Sequence, residues 1–143
     1  MIYTPLTKLA MKIAYRAHHG QFDHGGIPYV FHPIHLAEQM DDEATTVTAL
    51  LHDVVEDSAY TLRDLEAMGF APEVLEALAL LTHADGVPYL EYVAAIKQNP
   101  IARAVKLADL AHNSDLTRLD TVDAKALARV EKYRQAITLL TER

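Results

Sequence analysis

An all-α fold is predicted by three features of the 143-residue sequence. Apolar residues recur at spacings of three and four, no segment shows the alternation of a half-buried strand, and Pro, Gly and capping residues punctuate the chain at helical intervals. The first helix is expected from about Thr4 to His19. Pro5 suits its first turn, Leu6, Leu9, Ala10, Ile13 and Ala17 form its inward face, and Gly20 ends it. The segment GQFDHGGIPY reads as a loop, because Gly25-Gly26 and Pro28 permit tight turns and stop a helix from continuing. Pro33 fits the first position of a second helix, which makes His32 its N-cap. Asp41 or Asp42 caps a third, central helix, apolar nearly all round at Val47, Ala49, Leu50, Leu51, Val54 and Val55 and expected to run unbroken through His52 and Asp53. Thr61 and Asp64 form a weak capping box, Gly69 is a stop, and Pro72 restarts a helix through Leu81. A short helix follows from Pro88 to Lys97. Pro100 opens a long one running through VKLADLAHNSDLTRL, and a last one spans about Asp123 to Thr141 on a core stripe of Leu127, Val130, Ile137 and Leu140.

With half its residues hydrophobic, a chain of this length forms one core, so residues 1–143 are read as a single domain. Twenty acidic residues against 13 basic leave a formal charge of -7, which gives no general field for DNA or RNA. A small anionic substrate is still allowed, provided that a metal and a few basic side chains neutralise it locally. The absence of cysteine excludes a disulfide framework, and no apolar run is long enough to cross a bilayer. The N-terminal segment lacks the pattern of a signal peptide, so the expected location is the cytoplasm, with no membrane partner.

In a cysteine-free chain, a catalytic divalent cation has to be held by His, Asp or Glu. The stretch ALLHDVVED places His52 and Asp53 among apolar residues, where a charged carboxylate loses hydration unless a cation is beside it. Asp109 stands in an equally apolar setting, between Val105, Leu107, Ala108, Leu110 and Ala111. With His32 these residues supply two imidazoles and two carboxylates. That set suits Mn²⁺, Fe²⁺, Co²⁺ or Zn²⁺ and leaves positions open for water and substrate. On a continuous helix Glu56 and Asp57 lie one turn beyond His52 and Asp53, where they can orient a water or take its proton. Asn113 is one turn beyond Asp109 and with Ser114 is a candidate substrate contact; Lys106 is the preferred phosphate contact. His18, His19, His24 and His35 are mostly expected to be structural or exposed, and His83 and His112 carry a somewhat higher expectation of a second-metal or phosphate role. Lys8, Lys12 and Arg16 read as a solvated face.

The segments AHHGQ, GGIPYVFHPIHLA, ALLHDVVEDS, TLRDL and VKLADLAHNSDLTRL, in this order, cover most of the chain. They resemble the HD superfamily of metal-dependent phosphohydrolases, and most closely the hydrolase domain of RelA/SpoT-type alarmone enzymes and their small stand-alone relatives. The resemblance implies an all-helical bundle and metal binding by His32, His52, Asp53 and Asp109, usually of Mn²⁺. It further implies water activation by Glu56 and Asp57, nucleotide contact near Asn113 and Ser114, and removal of the 3'-pyrophosphate of (p)ppGpp. One departure is visible: Phe22-Asp23-His24 stands where alarmone hydrolases carry an Arg-Lys pair, so His24 becomes a candidate substrate contact and Asp23 is expected to repel a phosphate. The leading expectation is a phosphohydrolase of a small phosphorylated nucleotide. Its alternatives are an HD-type phosphatase or pyrophosphatase with another substrate, and a nucleotide-binding module without turnover.

Overall fold

The computed structural model describes residues 1–142, in which nine α-helices and one 3₁₀ turn account for the regular structure. The helices are α1 (Pro5–Ala17), α2 (Phe31–Glu38), α3 (Glu43–Leu51), α4 (Val54–Asp57), α5 (Leu62–Ala67), α6 (Pro72–Leu81), α7 (Tyr89–Lys97), α8 (Pro100–Asn113) and α9 (Ala124–Thr141). A 3₁₀ turn at Leu116–Arg118 follows α8, and Phe22 and Pro28 pair as an isolated bridge across the first loop. The expected all-α class is what the structure shows.

Most helix starts are set by short polar side chains that satisfy otherwise unpaired backbone N–H groups. Thr4 and Thr7 cap α1 reciprocally, Asp42 accepts from the Thr45 N–H at 2.8 Å, Asp123 accepts from the Ala126 N–H at 2.8 Å, and Thr61 and Asp64 form the expected capping box. Each such cap contributes about 0.5–2 kcal/mol. The central helix is α3, with every residue from Thr46 to Leu51 buried, and it packs on α1, α2, α6 and α8. Because α2 and α8 lie against the same helix, polar residues on all three can face one another inside the core. No helix among the described residues is long and apolar enough to cross a membrane.

Four local expectations are corrected. Helix α2 begins two residues early, with Val30 as N-cap, so His32 is not a cap but a buried residue of the first turn. The central helix does not run through His52 and Asp53: α3 ends at Leu51, Asp53 adopts φ -106 and ψ 0, and α4 restarts at Val54. The break has a local cause. His52 Nδ1 lies 2.7 Å from the Ala49 carbonyl, the acceptor that the Asp53 N–H would use in a continuous helix. Helix α8 stops at Asn113 rather than continuing through LTRL, because the Asp115 carboxylate accepts from the Thr117 N–H at 3.0 Å and draws the chain into the 3₁₀ turn. On α9, Leu140 of the expected stripe is buried, but Leu127 is 55 % exposed, Val130 and Ile137 are half-buried, and Ala126 and Ala136 complete the buried face. Small alanines let α9 approach α7 and α8 closely, leaving Leu127 on the outer side.

The loop between α1 and α2 is docked on the segment after α8 through Arg118. A Cβ at Gly25 would lie 2.2 Å from the Arg118 carbonyl oxygen. Gly25→Ala is therefore expected to destabilise the fold by about 1–3 kcal/mol through forced displacement of this loop, read as a lowered urea midpoint. An unchanged midpoint would show that the contact is not fixed in solution.

Candidate metal centre

Three buried side chains from three elements converge: His32 from α2, His52 from the α3–α4 break and Asp109 from α8. One ligand atom from each lies within 4.8 Å of the others. His32 Nε2 is 2.9 Å and His52 Nε2 3.6 Å from Asp109 Oδ1. Asp53 stands beside this group, its Oδ2 2.9 Å from His52 Nε2 and accepting a hydrogen bond from the Tyr29 hydroxyl. All four expected ligands are thus neighbours, with His32, His52 and Asp109 forming the tightest set.

The donor set fits a cation better than it fits a proton. His52 Nδ1 donates to the Ala49 carbonyl, so Nε2 carries the lone pair of the neutral ring and faces two carboxylate oxygens. Although Asp53 is only 2.9 Å away, Nε2 has no partner in hydrogen-bond geometry among the described residues. A proton needs direction; a metal ion needs only converging lone pairs. The electrostatics show that the pocket draws positive charge, which is a proton on His52 when no metal is bound. Burial opposes the charged His52 ring, yet the Asp53 and Asp109 charges outweigh it and hold its pKa well above the ordinary value. Burial likewise opposes the Asp109 carboxylate, while the Lys106 charge and the close His32 and His52 rings keep it ionised far below the usual range.

Outer contacts fix the orientation of these groups. His32 Nδ1 lies 2.7 Å from His112 Nδ1, and the two rings stack at 5.0 Å. Burial and the Arg118 charge depress the His112 pKa to about 4, so His112 stays neutral and accepts the His32 N–H. His112 is therefore a support for His32. Lys106 Nζ and Asn113 Nδ2 each lie 2.9 Å from an Asp109 oxygen, and both side chains also line a cleft of about 210 Å³ over the centre.

That cleft gathers His52, Asp53, Glu56, His83, Lys106, Asp109 and Asn113 with Tyr29, Tyr89, Tyr92, Lys132 and Tyr133. Glu56 accepts a hydrogen bond from the His83 N–H, which ties its carboxylate to the start of the α6–α7 loop. Burial, followed by the Asp53 and Asp57 charges, raises the Glu56 pKa above the usual glutamate value. Burial and then the Asp53 charge do the same for Asp57, which is not among the residues lining the cleft. Ser114 caps α8 with its hydroxyl enclosed and without a hydrogen-bond partner among the described residues, outside the cleft lining. His24 lines a neighbouring cleft of about 310 Å³ that shares Tyr29, Asn113 and Tyr133 as walls.

Asp23 does not present a bare charge to that second cleft, contrary to the expectation from sequence. Its Oδ1 accepts from the Gly25 and Ile27 N–H groups and its Oδ2 pairs with Arg118 at 2.9 Å, so the carboxylate is neutralised inside the protein. Sequence reasoning missed Tyr29, Tyr89, Tyr92, Lys132 and Tyr133. Only Lys132 and Tyr133, in an otherwise amphipathic last helix, carried a readable signal: polar tips one turn from the buried Ala136.

No family model matches the chain. A GTP pyrophosphokinase of Streptomyces coelicolor is 37 % identical over 140 residues, covering 87 % of this chain and 16 % of that protein. A probable GTP pyrophosphokinase of Mycobacterium leprae is 34 % identical over 121 residues, covering 76 % and 15 %. The bifunctional (p)ppGpp synthase/hydrolase SpoT of Escherichia coli is 33 % identical over 119 residues, covering 73 % and 17 %. The chain spans about one sixth of the length of these relatives. Among solved structures, a metazoan SpoT ortholog described as hydrolysing ppGpp superposes with a TM-score of 0.80, at 22 % identity, over 99 % of this chain and 88 % of its own. Together these likenesses make the chain a relative of the RelA/SpoT-type (p)ppGpp enzymes, built on the HD-domain fold.

Proposed function

We propose that the chain is a divalent-metal-dependent phosphohydrolase of a small phosphorylated nucleotide, and that its reaction removes the 3'-pyrophosphate of (p)ppGpp. The observation that carries this reading is the convergence of His32, His52 and Asp109 under a cleft lined by both carboxylates and ammonium groups. The names of the E. coli and metazoan relatives support the substrate. His32, His52 and Asp109, with Asp53 beside them, are the residues that would hold the ion, with Mn²⁺ the preferred choice. When bound, the ion supplies Lewis-acid polarisation of a phosphoryl oxygen and a lowered pKa for water, to about 7 in favourable sites.

The chain's own residues supply the rest. Glu56, in the cleft and held by the His83 N–H, takes the proton of the attacking water, with Asp57 behind it. The water oxygen bonds to the phosphorus carried on the ribose 3'-oxygen, the bond from that phosphorus to the 3'-oxygen breaks, the freed 3'-oxygen takes up a proton to become the 3'-hydroxyl, and pyrophosphate is released. Lys106 faces the phosphoryl oxygens, its ammonium kept charged by Asp109 despite burial. Asn113 reaches both the metal ligand and the second cleft, where the nucleoside has room and where His24 stands.

The test is release of pyrophosphate from ppGpp with and without manganese, run beside a panel of mononucleotides. Manganese-dependent pyrophosphate from ppGpp is the expected result. Orthophosphate from mononucleotides alone would replace the alarmone reading with a phosphatase, and tight nucleotide binding without turnover by manganese-loaded protein would replace it with a binding module.

A further inference from the structure

Beyond Lys106, the cleft contains a second ammonium group whose charge is not neutralised by a carboxylate. Lys132, on α9, joins none of the ion pairs among the described residues. Its Nζ sits 4.1 Å from the centre of the Tyr89 ring. Lys106 Nζ lies 5.9 Å from that ring and 5.2 Å from the Tyr92 ring, and 2.9 Å from Asp109 Oδ2. The order along this wall is therefore Asp109, Lys106, Tyr89, Lys132.

Tyr89 adds a donor to the same wall. Its hydroxyl is enclosed and has no hydrogen-bond partner among the described residues, whereas the Tyr92 hydroxyl donates to the Leu81 carbonyl at 2.6 Å. Burial keeps the Tyr89 hydroxyl protonated. A buried donor without an acceptor and an unpaired ammonium on the same ring ask for an anion with several acceptor oxygens. In a chain of net charge -7, whose cleft also holds Asp53, Glu56 and Asp109, only a ligand reaching past Lys106 gains from this arrangement.

We propose that Lys132, seated on Tyr89, is a specificity-determining residue that with the Tyr89 hydroxyl binds a second phosphoryl group, lying beyond the one at the metal centre, so that the cleft selects diphosphate-bearing ligands over monophosphates. This rests on the phosphohydrolase reading and names the substrate class of the same site. The ring holds the ammonium in place by a cation–π contact, which limits the entropy lost when the phosphate arrives.

The experiment is calorimetric titration of the manganese-loaded protein with inorganic pyrophosphate and, separately, orthophosphate. Lys132→Ala is expected to weaken pyrophosphate about tenfold and orthophosphate less than about twofold, the loss of one charge-assisted contact. Tyr89→Phe is expected to weaken pyrophosphate several-fold. Lys125→Ala, an equal charge change on an exposed lysine of the same helix outside the cleft, should leave both unchanged. Equal effects of Lys132→Ala and Lys125→Ala, or none from Lys132→Ala, would overturn the subsite. Steady-state kinetics separate this from the function itself. Hydrolysis of ppGpp with unchanged KM in Lys132→Ala removes the subsite and keeps the activity, whereas the pyrophosphate effect in a protein that leaves ppGpp intact keeps the subsite and removes the activity.

Discussion

Asp109→Ala is expected to abolish manganese binding and turnover together, and to destabilise the protein even without metal. Asp109 is 7 % exposed and receives hydrogen bonds from Lys106 Nζ and Asn113 Nδ2, with His32 Nε2 also 2.9 Å and His52 Nε2 3.6 Å away. Removing the carboxylate takes away one ligand and leaves the Lys106 ammonium enclosed without a counter-charge. Breaking a buried pair from one side costs about 3–5 kcal/mol. The wild-type urea midpoint should rise with manganese, by the equivalent of about 2.7 kcal/mol when the free ion reaches a hundred times its Kd. That rise should vanish in Asp109→Ala. Asp109→Asn refines the reading, since the amide keeps acceptor capacity for Asn113 yet loses the charge that holds Lys106. A variant that binds manganese with wild-type affinity would remove Asp109 from the ligand set.

The parts of this architecture legible in the sequence are those with local causes. Thr4, Asp42, Thr61 and Asp123 start helices through hydrogen bonds to residues three positions on, so their effect is visible in a short window. The break at His52-Asp53 was hidden because its cause is a side-chain contact, the imidazole at the Ala49 carbonyl, that an apolar periodicity does not record. Asp109 was legible as a carboxylate out of place in an apolar helix, and His32 only through the motif around it. Charges paired across the chain were misread. Asp23 looked like an obstacle to phosphate until Arg118, 95 residues away, was found against it. Lys132 was passed over, because its seat on Tyr89 is made by the fold and not by its neighbours in the chain.

Glu56→Gln is expected to lower kcat by about 10²- to 10⁴-fold, with KM and manganese affinity changed little. The amide still accepts the His83 N–H, so the side chain stays in the cleft, but it no longer takes a proton. With Glu56 as the proposed base, its ionisation is also expected to set the acid limb of the rate. Burial, and then the negative charges of Asp53 and Asp57, favour the protonated carboxyl, against the His83 N–H, which favours the carboxylate, and the net pKa is raised above the usual value of 4.5. A protonated Glu56 cannot act as a base, so kcat should increase with pH as the proton is lost. In Glu56→Gln this limb should disappear, leaving a slow rate with a flatter profile. Asp57→Asn, at a residue outside the cleft lining, is expected to lower kcat less and to keep the limb. If instead Glu56→Gln retained turnover within tenfold and Asp57→Asn lost it, the proton would be moving to Asp57, and the cleft wall held by His83 would have a positioning role alone.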